Sequence, residues 1–348
     1  MKPRPTIFVC TPYGGPEWRW VALHFAGEQL DWSFHVRKPS GVLQTRIRKP
    51  DLALIQTCRR CIDTLAGTPS PLLVTLDPRA TYWCSHFATK RGLSIRHLAY
   101  GFNFASLPTG LKRRSMTRAF AHVERFIVYS NFERELYARH FDLSLRSFEM
   151  KHWGVAAPGT THTESPRSEG DYICALGGNR RDYRSLMAAM RSLPDIRCIA
   201  AMRPENLRGL EVPSNVKIVT DVPFGEAMDL LAGSRFMVLP LEDAQTPCGH
   251  VTIVAAMHFS KATIVTLSEG IADYVLEGRT GLTCEPGNPA SIAAKIRQLW
   301  ESPDEAGILG RQAKAFADEH CTEKSMADHF RGLLQKMGFL NVVEPALA

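Results

Sequence analysis

Two series of short, continuous apolar runs organise the chain, with segments long enough for helices between them. The first series is TIFVC, WSFHV, DLALIQ, PLLVTL, IRHLAY and RFIVYS; the second restarts at DYICALGG and continues through IRCIAAM, VKIVTDV, FMVLPL, ATIVTL and TGLTCEP. Unbroken rather than alternating hydrophobicity is the mark of strands covered on both faces, so the pattern predicts an α/β protein of two doubly wound, Rossmann-like parallel sheets. Between FMVLPL and ATIVTL, GHVTIVAAMHF has the length of a helix, with Gly249 just before it. The tail reads as successive helices, because SIAAKIRQLW and EKSMADHFRGLLQKMGF carry apolar residues at spacings of three and four. Trp153–Gly170 is rich in Pro, Gly, Ser and Thr and lacks a period, which marks a linker. The expected organisation is an N-terminal domain over 1–155, a linker over 156–170, a second domain over 171–320 and a final helical segment over 321–348.

Length agrees with this division, since 348 residues exceed one ordinary core and suit two domains of about 150 residues each. Hydrophobic content of 45% with 22% charged residues excludes a disordered chain. No apolar run reaches a membrane-spanning length, and MKPRPTIFVCTP has no signal-peptide apolar region, so a cytoplasmic protein is expected. Nine cysteines at irregular spacing, mostly within or beside apolar runs, read as reduced, packed thiols. Cys58 and Cys61 form a lone C-x-x-C without a second pair, so neither a metal nor a cofactor is expected. The net charge of +7 is uneven: Leu111–Arg125 sets Lys112, Arg113, Arg114 and Arg118 beside Met116, Ala119 and Phe120. That pattern fits an anionic membrane surface or a solvated helix face. No nucleic-acid recognition module accompanies it.

Candidate chemistry gathers where strands give way to loops and helices. The order FMVLPL, loop, Gly249, helix places unpaired backbone N–H groups where an anion can sit, with the Thr252 hydroxyl and His250 beside them. Gly14 and Gly15 follow the first strand and permit close backbone approach to a phosphate or hydroxyl, or form an ordinary turn. Asp77 ends PLLVTLD, where a carboxylate either acts as base toward an acceptor hydroxyl or caps the next helix. Asn103, in the loop Tyr100–Phe104, is suited to sugar hydroxyls, while His97 inside its strand reads as a core histidine. Glu242 and Asp243 are loop acids after FMVLPL, and Glu269 and Asp273 flank a glycine turn.

Several weak motifs recur here in one order: GGNRRDYRSL at 177–186, Pro240-Leu241, CGHVTIVAAM at 248–257, GIADYVLEGRTG at 270–281 and CEPGNPASIAAKI at 284–296. Over roughly 170–320 the chain thereby resembles the retaining, group 1 type of nucleotide-sugar glycosyltransferases, which have the GT-B fold. The resemblance implies two Rossmann-like domains facing across a cleft, a last helix that crosses back to the first domain, and a glycine loop at Gly14-Gly15 lining the cleft. It places Arg181 where the family usually has a lysine on the donor diphosphate, a task a guanidinium can perform. Pro247 and Ala255 stand where the family has two glutamates, so the usual ribose contact has no counterpart. The implied activity is hexosyl transfer from a nucleotide-diphosphate sugar to a hydroxyl of a carbohydrate or lipid-linked acceptor, without a metal. On that reading Asp77, Asn103 and Glu242 are the catalytic candidates; Gly14, Gly15, Arg181, Gly249, His250, Thr252 and Asp273 are the donor-binding ones. A catalytically degenerate partner subunit is the second reading, and a nucleotide-sugar epimerase of the same fold the third.

Overall fold

The computed structural model describes residues 4–13, 18–37, 51–160, 171–243, 245 and 247–341. The chain divides into two compact units, Met1–Lys151 with Met326–Ala348, and His152–Ser325. The two Rossmann-like sheets expected from the apolar runs, and implied by the resemblance to GT-B proteins, are present: each unit holds a six-stranded parallel sheet flanked by helices.

The first unit runs β1 (Thr6–Thr11), α1 (Arg19–Leu23), β2 (Asp31–Val36), α2 (Leu52–Leu65), β3 (Pro71–Leu76), α3 (Pro78–Lys90), β4 (Arg96–Tyr100), α4 (Gly110–Phe120), β5 (Arg125–Val128), α5 (Asn131–His140) and β6 (Phe148–Met150). Its strand order is β2-β1-β3-β4-β5-β6, so the sheet changes direction of growth between β1 and β3, the place where open α/β sheets bind ligands. DLALIQ, expected as a strand, opens α2 instead. Asp51 caps it by accepting from the Leu54 amide at 3.1 Å, and Leu54, Cys58, Cys61, Ile62 and Leu65 form one buried helical stripe. The sixth strand is the short FEM segment, whose three residues gave no apolar run.

In Leu111–Arg125 the apolar side chains Met116, Ala119 and Phe120 are buried in this unit's own core beside Phe102, Phe126 and Tyr137. The apolar side of the stretch is thus taken up by the protein's own core, while Lys112, Arg113, Arg114 and Arg118 stand in solvent with Leu111, Ser115, Ala121 and His122.

The second unit runs β7 (Ile173–Leu176), α6 (Tyr183–Arg191), β8 (Cys198–Met202), β9 (Val216–Thr220), α7 (Phe224–Gly233), β10 (Met237–Leu239), α8 (His250–His258), β11 (Thr263–Thr266), β12 (Leu282–Cys284), α9 (Pro289–Glu301) and α10 (Pro303–His320). Strand order is β12-β11-β10-β7-β8-β9, with the switch point between β7 and β10. Ile173 and Ala175 join one apolar cluster, Cys174 and Leu176 another, which explains the unbroken hydrophobicity of that strand. The boundary falls at Lys151/His152, ahead of residue 155. The Trp153 amide donates to the Tyr274 hydroxyl at 2.8 Å, and the Val155 amide to the Cys321 carbonyl at 3.1 Å. Of the expected linker, 161–170 lies outside the described residues.

The last helix, α11 (Glu323–Lys336), groups with the first unit from Met326 onward. Phe330 explains this, since its ring lies 5.3 Å from Trp18, 5.7 Å from Phe25 and 5.9 Å from Tyr100, in edge-on geometry. His329 adds a polar tie, with its Nδ1 3.1 Å from the Tyr100 hydroxyl and its Nε2 3.0 Å from Glu149.

His97 on β4 is a core histidine, with Nε2 2.8 Å from Thr75 Oγ1 and Nδ1 3.2 Å from Ser85 Oγ. Burial pushes its imidazole from the ordinary 6.5 down to about 3. The folded chain therefore keeps it neutral while the unfolded chain takes up a proton, so stability is full above about pH 6.5 and is lost as pH falls toward 3. The melting temperature should drop steadily from pH 6.5 to 4, and His97→Gln should flatten that limb; superimposable pH profiles for the two proteins would contradict the assignment.

Candidate functional site

At the switch point of the second sheet, the segment leaving β7 is zipped to the segment leaving β10. Arg181 and Leu241 form an antiparallel bridge, the Asp182 amide donates to the Pro240 carbonyl at 3.1 Å, and the Glu242 amide to the Arg180 carbonyl at 3.2 Å. This clamp fixes the backbone of Arg181, and the side chain folds inward, leaving the residue 7% exposed. Its Nε donates to the Leu176 carbonyl at 3.2 Å, Nη1 to the Asn179 carbonyl at 2.7 Å and Nη2 to Thr252 Oγ1 at 3.3 Å. Gly177 permits the arrangement, since at φ 102° a Cβ there would lie 2.9 Å from Arg181 Nη2. Among the described residues no carboxylate pairs with this guanidinium. Burial pushes its pKa below the ordinary value, although an arginine stays charged at neutral pH.

Thr252 lies in the first turn of α8, so the guanidinium and the helix N-terminus meet at one place. Gly249 caps α8 at φ 101° with no side-chain hydrogen bond, and a Cβ there would sit 2.9 Å from Leu239 Cδ2. The amides of Val251 and Thr252 have no acceptor among the described residues, which leaves the positive end of the helix open. His250 is buried and holds the Gly270 carbonyl through Nε2 at 2.8 Å. It thus ties α8 to the glycine turn instead of presenting its Nε2 to a ligand.

A pocket of about 500 Å³ opens beside these groups, a size suited to a small organic ligand. Gly177, Gly178, Thr252 and Ala255 line one part of it, and Arg203, Asp221 and Phe224 another. Phe224 is 65% exposed, an apolar ring offered to solvent at the pocket. Gly178 lies against Arg203, where a Cβ would come within 2.5 Å of Cγ. Arg203 and Asp221 were missed in the sequence. They directly follow the apolar runs of β8 and β9, so the carboxyl ends of those strands were the available signal.

Other sequence candidates sit elsewhere. Glu242 pairs with Arg180 at 3.2 Å with both side chains nearly half exposed, a surface ion pair. Asp273 follows a 3-10 turn at Glu269–Ile271, is absent from the pocket lining, and its carbonyl accepts from His152 Nε2 at 3.0 Å. In the first unit Asp77, at φ 88°, caps α3 by accepting from the Arg79 amide at 2.7 Å. Its Oδ2 also takes Arg79 Nη2 at 2.9 Å and the Tyr13 hydroxyl at 3.3 Å. A non-glycine residue held at positive φ beside the β1/β3 switch point stores strain of the kind found at ligand sites. Asn103 donates to Glu133, a fully buried carboxylate that also receives the Tyr129 amide at 2.9 Å, the Ser130 hydroxyl at 3.1 Å and the Tyr137 hydroxyl at 3.2 Å. Gly14 and Gly15 lie outside the described residues.

Comparison with known proteins supplies a class for the pocket-bearing unit. Residues 182–302 match the family Glycosyl transferases group 1. An uncharacterized glycosyltransferase of Methanocaldococcus jannaschii is 26% identical over 111 residues, 32% of this chain and 31% of that protein. The D-rhamnosyltransferase WbpZ of Pseudomonas aeruginosa is 30% identical over 101 residues, 29% of this chain and 26% of its own length. The matched stretch thus spans under a third of either relative. Solved structures match nearly end to end in fold. Sucrose-phosphate synthase from Thermosynechococcus elongatus has a TM-score of 0.73 at 14% identity, covering 96% of this chain and 99% of that one. Anabaena HepE in complex with UDP-glucose gives 0.70 at 12% identity, covering 95% and 99%. A UDP-N-acetylglucosamine 2-epimerase gives 0.61 at 14% identity, covering both chains fully. Likeness at such identity establishes the fold, and both transferases and an epimerase share it.

Gly249→Ala tests how tightly this corner is built. Positive φ together with the Leu239 contact should cost about 1–3 kcal/mol, read as a lower urea midpoint with an unchanged slope. A wild-type midpoint would show that the turn tolerates a side chain.

Proposed function

We propose that the protein is a glycosyltransferase whose second unit binds a nucleotide-diphosphate sugar, with the diphosphate between the Arg181 guanidinium and the N-terminus of α8. The observation that carries this reading is a buried arginine without a carboxylate partner, fixed beside open helix amides. A desolvated cation in that state gains most from a bound anion. The nucleoside portion would take the neighbouring pocket, its base on Phe224 and its ribose near Asp221 and Ala255. The match of residues 182–302 to group 1 glycosyl transferases supports the transfer chemistry.

In such a reaction the demand on the protein is charge stabilisation on the departing nucleotide diphosphate, which the guanidinium and the α8 amides would meet without a metal. We read the transfer as retaining on the order of the motifs from Gly177 to Ile296. The acceptor hydroxyl is assigned to a carbohydrate or lipid-linked molecule. The exposed Lys112, Arg113, Arg114 and Arg118 suit an anionic lipid surface carrying it.

Ala255, lining the pocket where the family has a glutamate, favours one second reading, a partner subunit that binds a nucleotide without turnover. A panel of nucleotide-diphosphate sugars separates the cases. Donor hydrolysis or transfer supports the enzyme, binding without any turnover supports the subunit, and sugar interconversion without acceptor supports an epimerase. Arg181→Met should weaken nucleoside diphosphate binding about 10- to 100-fold in calorimetry while leaving nucleoside binding nearly unchanged. Equal loss for both ligands would place the diphosphate elsewhere. Phe224→Ala should instead weaken nucleoside and nucleotide alike, through lost stacking, by about 1–3 kcal/mol.

A further inference from the structure

All four cysteines of the first unit lie in one apolar cluster, and three of them converge on one point. Cys10 comes from β1, Cys58 and Cys61 from successive turns of α2, and Cys84 from α3, and each is wholly buried. The Sγ atoms of Cys10, Cys58 and Cys84 lie within 4.8 Å of one another, and Cys10 Sγ is 3.7 Å from Cys58 Sγ. Cys61, one turn after Cys58 on α2, is buried beside them in the same apolar cluster, outside the set of three whose sulfurs all lie within 4.8 Å of one another. Around them the side chains are apolar, among them Phe8, Leu54, Ile62, Leu73 and Ala80.

The spacing has a chemical meaning. A Cys10–Cys58 separation of 3.7 Å excludes a disulfide between these two in this arrangement, since bonded sulfurs stand about 2.05 Å apart. A tetrahedral ion with metal–sulfur bonds of about 2.3 Å sets its sulfurs about 3.8 Å apart. Three soft donors from three elements at this distance, with a fourth cysteine one helical turn away, make an all-sulfur set of the kind that selects zinc or iron.

We propose that Cys10, Cys58 and Cys84 are ligands of a single tetrahedral metal ion, zinc in the first instance, that pins β1 to α2 and α3, with the Cys61 side chain turning in as the fourth ligand when the ion binds. The lone C-x-x-C of the sequence is then one half of a site whose other half comes from residues far along the chain. Binding exchanges thiol protons for the ion, and the protons leave to solvent. The role is structural, because a closed four-sulfur sphere leaves no position for a substrate.

The test uses the full chain, expressed without a polyhistidine tag in zinc-supplemented medium and measured by elemental analysis. The proposal requires about one zinc or iron per chain, near-complete loss of it in Cys61→Ser and Cys84→Ser, and full retention in Cys174→Ala. Should the two serine variants fail to fold, the wild type decides. After metal removal and addition of cobalt(II), a tetrahedral thiolate site must show intense ligand-field absorption in the red and sulfur-to-cobalt charge transfer in the near ultraviolet. A folded wild-type chain that carries no metal and gives neither band would overturn the proposal. So would a mass two units lower per pair, which marks disulfides among these cysteines.

Discussion

The second unit turns on one uncompensated charge. Burying a guanidinium costs several kcal/mol, and proteins ordinarily offset it with a carboxylate. Here Arg181 has two backbone carbonyls, the Thr252 hydroxyl and the neighbouring Cys248 thiol, and no carboxylate among the described residues. Each guanidinium nitrogen has a partner, and none of these partners carries a charge that would cancel that of the arginine. An adjacent helix N-terminus adds positive potential in place of relieving it. Such a corner is stable because the surrounding backbone holds it, and in the proposed function a bound anion completes it.

Holding it takes the whole topology. The parallel order brings the carboxyl ends of β7 and β10 side by side, so the segments after them can bridge through Arg181 and Leu241. Gly177 and Gly249 occupy positive φ where a Cβ would strike Arg181 and Leu239 respectively. The two apolar clusters on opposite faces of the sheet keep the strand ends fixed while the loops carry the chemistry. The first unit repeats the logic at its own switch point, where Asp77 is held at positive φ by Arg79 and Tyr13.

Much of this was legible in the sequence, for identifiable reasons. Strands buried on both faces leave unbroken apolar runs, as β7, β8, β10 and β11 do, whereas the edge strand β9 buries only Val216 and its run is interrupted by Lys217. DLALIQ misled because a buried helix stripe begins with the same residues, and only the continuation through Cys58, Cys61 and Leu65 shows the period of a helix. Arg181 was identifiable from its place after β7, whereas its depth was not, because depth depends on the bridge to a residue sixty positions later. Glu133, which occupies Asn103, and the pocket residues Arg203 and Asp221 are set by tertiary neighbours that no local pattern encodes. The convergence of Cys10 and Cys84 on the C-x-x-C pair was hidden for the same reason.

The most direct test of the central claim is a crystal structure of the protein with a nucleoside diphosphate bound. The account predicts phosphate oxygens within hydrogen-bonding distance of the Arg181 guanidinium and of the Val251 or Thr252 amide, with the base toward Phe224. A nucleotide bound with its phosphates away from Arg181, or an Arg181 side chain swung out to solvent in the complex, would contradict it.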